Sequence, residues 1–277
     1  MKMYECDELK IYRGREIRIN KKIVMTIPTL DQIEDFGEKR YFGAVHTLTS
    51  VGADLKWQLW EIGQDYTKIE DYDLFVQLIS QLVGSKKRLY NDIQLHPEKY
   101  AEQHYEEDDL VDMLVNPLEL ILKDIDLADF MPWKMEKNNQ IVLYNPLDDI
   151  VIDRLVYSRI VEIVRKLHGF KRNGQIPANE TTKMDLIEDA RDEFLMAQNK
   201  PFKSVLLPLI STLQVKCGQC GDEKVWGMPI SAFFENVKRI GKIQDAQLLL
   251  QGAYSGFANL KGIDKSRLDM FGDIGIS

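Results

Sequence analysis

Two cysteines separated by two residues form the most reactive motif in this sequence. Cys217-Gly-Gln-Cys220 places two thiols where a metal ion or a disulfide could link them. A structural zinc site needs four ligands, however, and no second pair follows at zinc-knuckle spacing. A thioredoxin-type redox site would need the motif at a helix start after a strand, whereas this one follows a predicted helix. We therefore interpret Cys217 and Cys220 as free thiols in a glycine-containing turn, and we predict no metal site.

Other catalytic motifs are incomplete or missing. Gly252-Ala-Tyr-Ser255-Gly256 has one residue too many before its serine to be a GxSxG nucleophile elbow, and it follows a helical pattern instead of a strand. The sequence contains no glycine loop of the phosphate-binding or dinucleotide-binding type and no HExxH zinc motif. We therefore predict no catalytic residue and no cofactor, and we expect a protein that is not an enzyme.

The charge balance limits the partners that this chain can bind. Its net charge of −8 disfavours a general nucleic-acid-binding protein, because clustered Lys and Arg side chains hold a phosphate backbone. The sequence nevertheless has two basic patches, one at Lys86 to Arg88 and one formed by Arg165, Lys166, Lys171 and Arg172. The second patch surrounds a predicted helix end, where cations interact favourably with the helix dipole. We favour this electrostatic role over contact with DNA.

The hydrophobic content of 44% and the charged content of 29% are ordinary for a globular protein. No window approaches the roughly 18 uninterrupted apolar residues of a membrane-spanning helix, and the first residues lack the apolar core of a signal peptide. We therefore expect a protein that has no contact with membranes and stays in the cytoplasm.

The segment from Val225 to Phe257 predicts one long amphipathic helix. Pro229 suits its first turn, and Gly252 and Gly256 suit its end. Apolar residues recur along one face at spacings of three and four, and the chain's own core or a partner must cover this face. Coverage by the chain itself is the commoner use of such a face. The candidate partner-binding residues on it are Phe233, Val237, Ile240, Ile243 and Leu250.

The remaining pattern predicts a mainly α (α+β) protein. Alternating apolar residues up to Ile27 predict a small N-terminal antiparallel β-meander of three strands, packed on the helices that follow. An acidic helical connection then leads to a C-terminal helical lobe, in which Asn145 caps a helix from Pro146 to His168. The predicted units are residues 1–100, 101–139 and 140–277.

Four segments carry a likeness to a known family. They are YFGAVHTLTSVGADLKWQLWEIGQDYTKIEDYDLF, IVLYNPLDDIVIDRLVYSRIVEIVRKLHGFKRNG, ANETTKMDLIEDAR and VWGMPISAFFENVKRIGKIQDAQLLLQGAYSGF. Together they resemble the tail-module proteins encoded by phages and prophages of Gram-positive bacteria, which are often treated as tail assembly chaperones. The likeness covers most of the chain and contains no catalytic signature.

The resemblance implies a non-enzymatic phage tail assembly protein. Such a protein would act as a chaperone or scaffold for a helical tail protein, with the tape measure or the tail tube as partner, in the host bacterial cytoplasm. One alternative is a structural subunit that stays in the virion tail. The other is a nucleic-acid-associated or enzymatic accessory protein that uses the basic patches. The oligomeric state is left open by the sequence.

Overall fold

A computed structural model describes residues 8–102, 117–136, 139–198, 200–217, 222–257, 260–272 and 274. Helices dominate it, and a small antiparallel sheet lies near the N-terminus. The predicted mainly α (α+β) class, with a helical C-terminal region, is confirmed. Among the described helices, none combines the length and the apolar character that crossing a membrane requires.

The N-terminal sheet has two strands in the structure, where the pattern predicts three. Helix α1 (Glu8–Tyr12) takes the place of the first predicted strand, and β1 (Ile17–Arg18) pairs with β2 (Val24–Met25). The other edge of β2 is covered by a distant segment, because the N–H of Thr26 donates to the carbonyl of Ile121 at 2.8 Å. Since that edge is already bonded, a third N-terminal strand is not needed there.

Among the described residues of the N-terminal half, five helices follow: α2 (Leu30–Phe36), α3 (Glu38–Thr49), α4 (Lys56–Glu61), α5 (Asp71–Leu95) and α6 (Pro97–Glu102). The spacing of Thr29 and Gln32 in the sequence predicts a capping box at a helix start. This box is present at the start of α2, since the N–H of Gln32 donates to Thr29 Oγ1 at 3.3 Å and the N–H of Thr29 donates to Gln32 Oε1 at 3.0 Å. The apolar spacing from Leu30 to Thr49 predicts one long helix, but this prediction is wrong, because Gly37 has a φ of 84° and separates α2 from α3. The pattern also predicts that the helical segment from Asp71 ends at Gly84, whereas α5 continues to Leu95.

A second antiparallel sheet lies in the middle of the chain. Its strands are β3 (Met131–Lys134), β4 (Ile141–Asn145) and β5 (Ile150–Ile152), and β4 is central. The sequence pattern predicts a loop at β3 and a helix from Pro146, and both predictions are wrong. The amide oxygen of Asn145 accepts the N–H of Leu147 at 2.8 Å and holds a turn, so the chain returns as β5. Residues 103–116 and 137–138 of the predicted acidic connection lie outside the described residues.

The C-terminal half is helical: α7 (Arg154–His168), α8 (Glu180–Gln198), α9 (Leu206–Cys217), α10 (Asp222–Trp226) and α11 (Ile230–Tyr254). Asp153 caps α7, where its carboxylate accepts the N–H of Val156 at 2.8 Å. Val225 belongs to α10, so the long helix predicted from that residue begins only after Pro229. Pro208 lies in the first turn of α9, where an N–H would lack a helical partner, so the proline removes no helical hydrogen bond.

One large cluster of buried side chains connects these elements. It contains residues from Ile11 to Phe233 and draws on all three predicted units, 1–100, 101–139 and 140–277. A smaller cluster joins α4 to α8 through Leu59, Tyr66, Leu74 and Ile187. The division into units stays a prediction that limited proteolysis can test.

Candidate functional site

The candidate partner-binding residues of α11 lie mostly against the chain itself. Phe233 is fully buried, and Val237 and Ile240 are half-buried against the large core cluster. Ile243 and Leu250 are half-buried farther along the helix. This face packs inward because α11 contacts α1, α7 and α9. Partner binding by Ile243 and Leu250 stays a prediction.

The cysteine motif falls at the edge of the described chain. Cys217 is the last residue of α9, and Cys6 and Cys220 lie outside the described residues. Within the described ranges, no group of three or more His, Cys, Asp or Glu residues is placed to hold a metal ion.

The second basic patch, in contrast, lines a large cleft. This cleft has a volume of about 740 Å³ and lies between the start of α5, one face of α7, the residues after α7, and α11. It contains the four predicted cations Arg165, Lys166, Lys171 and Arg172. We call it the cationic cleft, because it is lined by six cationic side chains and only three carboxylates: Arg154, Arg165, Lys166, Lys171, Arg172 and Lys238 against Glu70, Asp71 and Glu162.

Four of the six cations have partners. Arg172 donates from Nε and Nη2 to the two oxygens of Asp71 at 2.9 and 3.0 Å, and this pairing raises the pKa of the guanidinium. Arg154 pairs with Glu70 and, at 3.0 Å, with Asp73. Lys166 lies 3.4 Å from Glu162, and Arg165 donates to the carbonyl of Thr49 at 2.7 Å. These contacts join α7 and the residues after it to α3 and α5.

Lys171 and Lys238 differ from the other four. In the part of the chain that the structure describes, neither side chain has a hydrogen bond or an ion pair. Lys238 lies against Gly169, which ends α7 with a φ of 64°, and a Cβ added at Gly169 would lie 2.5 Å from Lys238 Nζ. Glycine at 169 therefore permits both the left-handed backbone and the close approach of the ammonium group.

Sequence reasoning finds the cations that are neighbours along the chain and misses Arg154 and Lys238. Lys238 belongs to the polar side of a helix more than sixty residues away from the patch. No pattern in a single sequence brings it to Gly169. Only the fold therefore shows that Lys238 belongs to the same cleft as the predicted patch.

The inner wall of the cleft contains a buried phenol. Tyr157 is 3% exposed and stacks on Phe75 with ring centroids 4.5 Å apart. Its hydroxyl has no hydrogen-bond partner among the described atoms, and burial raises its pKa. The neighbouring Tyr72 is better satisfied, because its hydroxyl donates to the carbonyl of Ile152 at 2.7 Å and accepts the N–H of Leu143 at 3.3 Å.

Replacing Tyr157 by phenylalanine is expected to leave the free energy of unfolding unchanged or to raise it by about 1 kcal/mol, since a buried unpaired hydroxyl is costly. The matched change Tyr72→Phe is expected to lower it by about 1–2 kcal/mol, because two buried backbone groups lose their partner. Urea denaturation of both variants measures the difference. A loss of stability in Tyr157→Phe equal to that in Tyr72→Phe would contradict this assignment.

A buried histidine lies next to the cleft. His168, the last residue of α7, is 4% exposed, and Phe170 stacks on its ring at a centroid distance of 5.4 Å. Its Nδ1–H donates to the carbonyl of Val164 at 2.7 Å, so Nε2 accepts the hydroxyl of Tyr41, also at 2.7 Å. Burial lowers the pKa of His168 to about 4. The ring is therefore neutral at pH 7 and serves as a structural link between α3 and α7.

Comparison of the chain with protein-family models, with curated proteins and with solved structures returned no significant match. The resemblance to phage tail-module proteins thus depends on the four segments quoted above.

Proposed function

We propose that this protein is a non-enzymatic phage tail assembly protein that binds a helical tail protein, such as the tape measure, as a chaperone or scaffold. The resemblance of the four segments motivates this function. The main structural support is a helix whose apolar face is packed against the chain in its first half and is exposed in its second half.

That helix is α8. Its first half packs against α4, where Ile187 is buried with Leu59 and Tyr66. One turn farther on, the guanidinium of Arg191 lies over the ring of Trp57 at 5.2 Å from the centroid. These contacts hold the helix in place and define the side of α8 that faces the protein.

In the second half of α8 the same face is exposed. Every described residue from Arg191 to Gln198 is exposed. Phe194 and Leu195 follow Ile187 by seven and eight residues, so they continue its face of the helix. These two exposed side chains form an apolar surface that we call the α8 tip.

An uncovered apolar helix tip suits the apolar side of another amphipathic helix. The net charge of −8 favours solubility, which a chaperone for an apolar chain needs. A helix held in place by its first half and a net negative charge together fit a protein that shields a long helical partner before assembly.

The double change Phe194→Ser and Leu195→Ser tests the α8 tip. Because both side chains are exposed, we expect the fold to keep its stability within about 1 kcal/mol. We expect capture of the co-expressed tape-measure protein to weaken at least about tenfold, since burial of each of the two apolar side chains contributes about 1.5–3 kcal/mol. Pull-down with quantitative mass spectrometry measures the change.

The matched control is Leu147→Ser with Ile176→Ser, which removes two exposed apolar side chains elsewhere on the surface. This control is expected to capture the partner as the unmodified protein does. Equal loss in both double variants would assign the effect to general surface polarity and count against the α8 tip. Presence of the protein in purified virions at fixed copy number would instead identify a structural tail subunit.

A further inference from the structure

We propose that the cationic cleft is a binding site for a small anion that carries phosphate groups. This inference concerns a different surface from the α8 tip and does not depend on the tail assembly proposal. It rests on the placement of charge, on the two unpartnered ammonium groups, and on the size and shape of the cleft.

The charge of the cleft is opposite to that of the molecule. The chain carries a net charge of −8, yet cationic side chains outnumber carboxylates two to one in the lining of the cleft. Concave surfaces with low-dielectric walls concentrate the field of the charges that line them. A small anion is therefore attracted to this position on an otherwise acidic protein.

The end of a helix explains only part of this charge. Arg165 and Lys166 lie in the last turn of α7, where cations interact favourably with the helix dipole, and Arg154 and Arg172 are held in ion pairs. Lys171 and Lys238 have no such partner among the described residues. They come from two separate elements, the residues after α7 and helix α11, and line the same cleft.

Phosphate is a good fit to these donors. Each ammonium group offers three N–H donors, and Arg172 keeps Nη1 available after its Nε and Nη2 have bonded to Asp71. Charge-assisted hydrogen bonds from Lys and Arg to phosphate oxygens are among the stronger polar contacts in proteins. Lys171, Arg172 and Lys238 all line the cleft, so we place the phosphate or diphosphate group among these three side chains.

The cleft volume of about 740 Å³ is that of a pocket for a small molecule. The cleft also has an apolar wall. Phe170 lines the cleft and is 38% exposed. An aromatic ring beside a phosphate site can contact the base of a nucleotide. The phosphate group could therefore come from inorganic pyrophosphate or from a nucleoside diphosphate.

Isothermal titration calorimetry of the full chain, at low ionic strength, tests the proposal with inorganic pyrophosphate and with ADP as separate probes. We expect the unmodified protein to bind pyrophosphate. Changing Lys171 and Lys238 together to glutamine should weaken this binding at least about tenfold, because each hydrogen bond to a charged group contributes about 1.5–3 kcal/mol. Thermal unfolding of the same variant should stay unchanged, since neither lysine has a partner to lose among the described residues.

The control variant is Lys39→Gln with Lys203→Gln, which removes the same charge from two exposed positions outside the cleft. It should bind pyrophosphate as the unmodified protein does. ADP binding tighter than pyrophosphate would identify a nucleotide site, and equal binding would identify a site for the phosphate groups alone. The proposal would be overturned if the protein bound neither pyrophosphate nor ADP, or if pyrophosphate binding weakened equally in both variants. Binding of duplex DNA without binding of pyrophosphate would also overturn it.

Discussion

Replacing Phe233 by alanine is expected to lower the free energy of unfolding by about 3–5 kcal/mol, the cost of removing a large side chain from a packed core. Phe233 is fully buried in the cluster that joins both halves of the chain. Its loss would leave a cavity where α11 begins, next to residues of the large cluster. Urea denaturation followed by circular dichroism measures the effect.

Leu248→Ala is the matched control for Phe233, because Leu248 lies on the same helix and is 68% exposed. This change is expected to alter the free energy of unfolding by less than about 1 kcal/mol. If Phe233→Ala were as stable as Leu248→Ala but failed to capture a tail protein, Phe233 would belong to a partner surface and the description of the core would be wrong.

Acid is expected to destabilise the protein through His168. The pKa of this ring is about 4 in the folded chain, because burial disfavours the charged form, against 6.5 for an exposed histidine. The unfolded chain therefore binds a proton between pH 6.5 and 4 that the folded chain does not bind. Stability is complete above that window and falls as the pH decreases through it, by about 3 kcal/mol in total.

The variant His168→Gln isolates this contribution. Protonation of carboxylates that are paired in the folded state also destabilises the protein in acid. The informative quantity is therefore the difference in pH dependence of the free energy of unfolding between this variant and the unmodified protein. Between pH 7 and 4 the variant should lose about 3 kcal/mol less. The control His46→Gln changes an exposed ring and should keep the pH dependence of the unmodified protein. Identical curves for His168→Gln and the unmodified protein would contradict the buried neutral ring.

Local signals in the sequence predict part of this fold. Thr29 and Gln32 form the predicted capping box, and α7 ends at Gly169 as predicted, because capping and left-handed glycine conformations depend on a few neighbouring residues. Strand β3 could not be predicted in this way. All four of its residues are exposed, so no alternation of apolar and polar residues marks it, and only its pairing with β4 makes it a strand.

The choice between Asn145 and Asp153 as a helix cap shows the same limit. Both residue types are good N-caps, and Pro146 makes the earlier position attractive. Pairing of β5 with β4 uses the residues that a helix from Pro146 would have occupied, and the helix starts later. Long-range strand pairing overrides the local preference.

The charged sites depend even more on distant contacts. Lys183 is buried on α8 and donates to Asp65 at 2.9 Å, which lowers the pKa of that carboxyl. Sequence reasoning places such a lysine in solvent, because an unpaired buried charge is costly and the partner is more than a hundred residues away. Lys238 is likewise brought to the cationic cleft only by the fold, although it has no ion pair among the described residues.

Affinity capture of the tagged protein, co-expressed with the neighbouring tail genes and analysed by mass spectrometry, tests the central claim most directly. The tail assembly proposal predicts stoichiometric recovery of the tape-measure or tail tube protein, and loss of that recovery in the Phe194→Ser, Leu195→Ser variant. Recovery of no tail protein, together with binding of duplex DNA at physiological salt, would contradict the proposal and favour a nucleic-acid-associated protein.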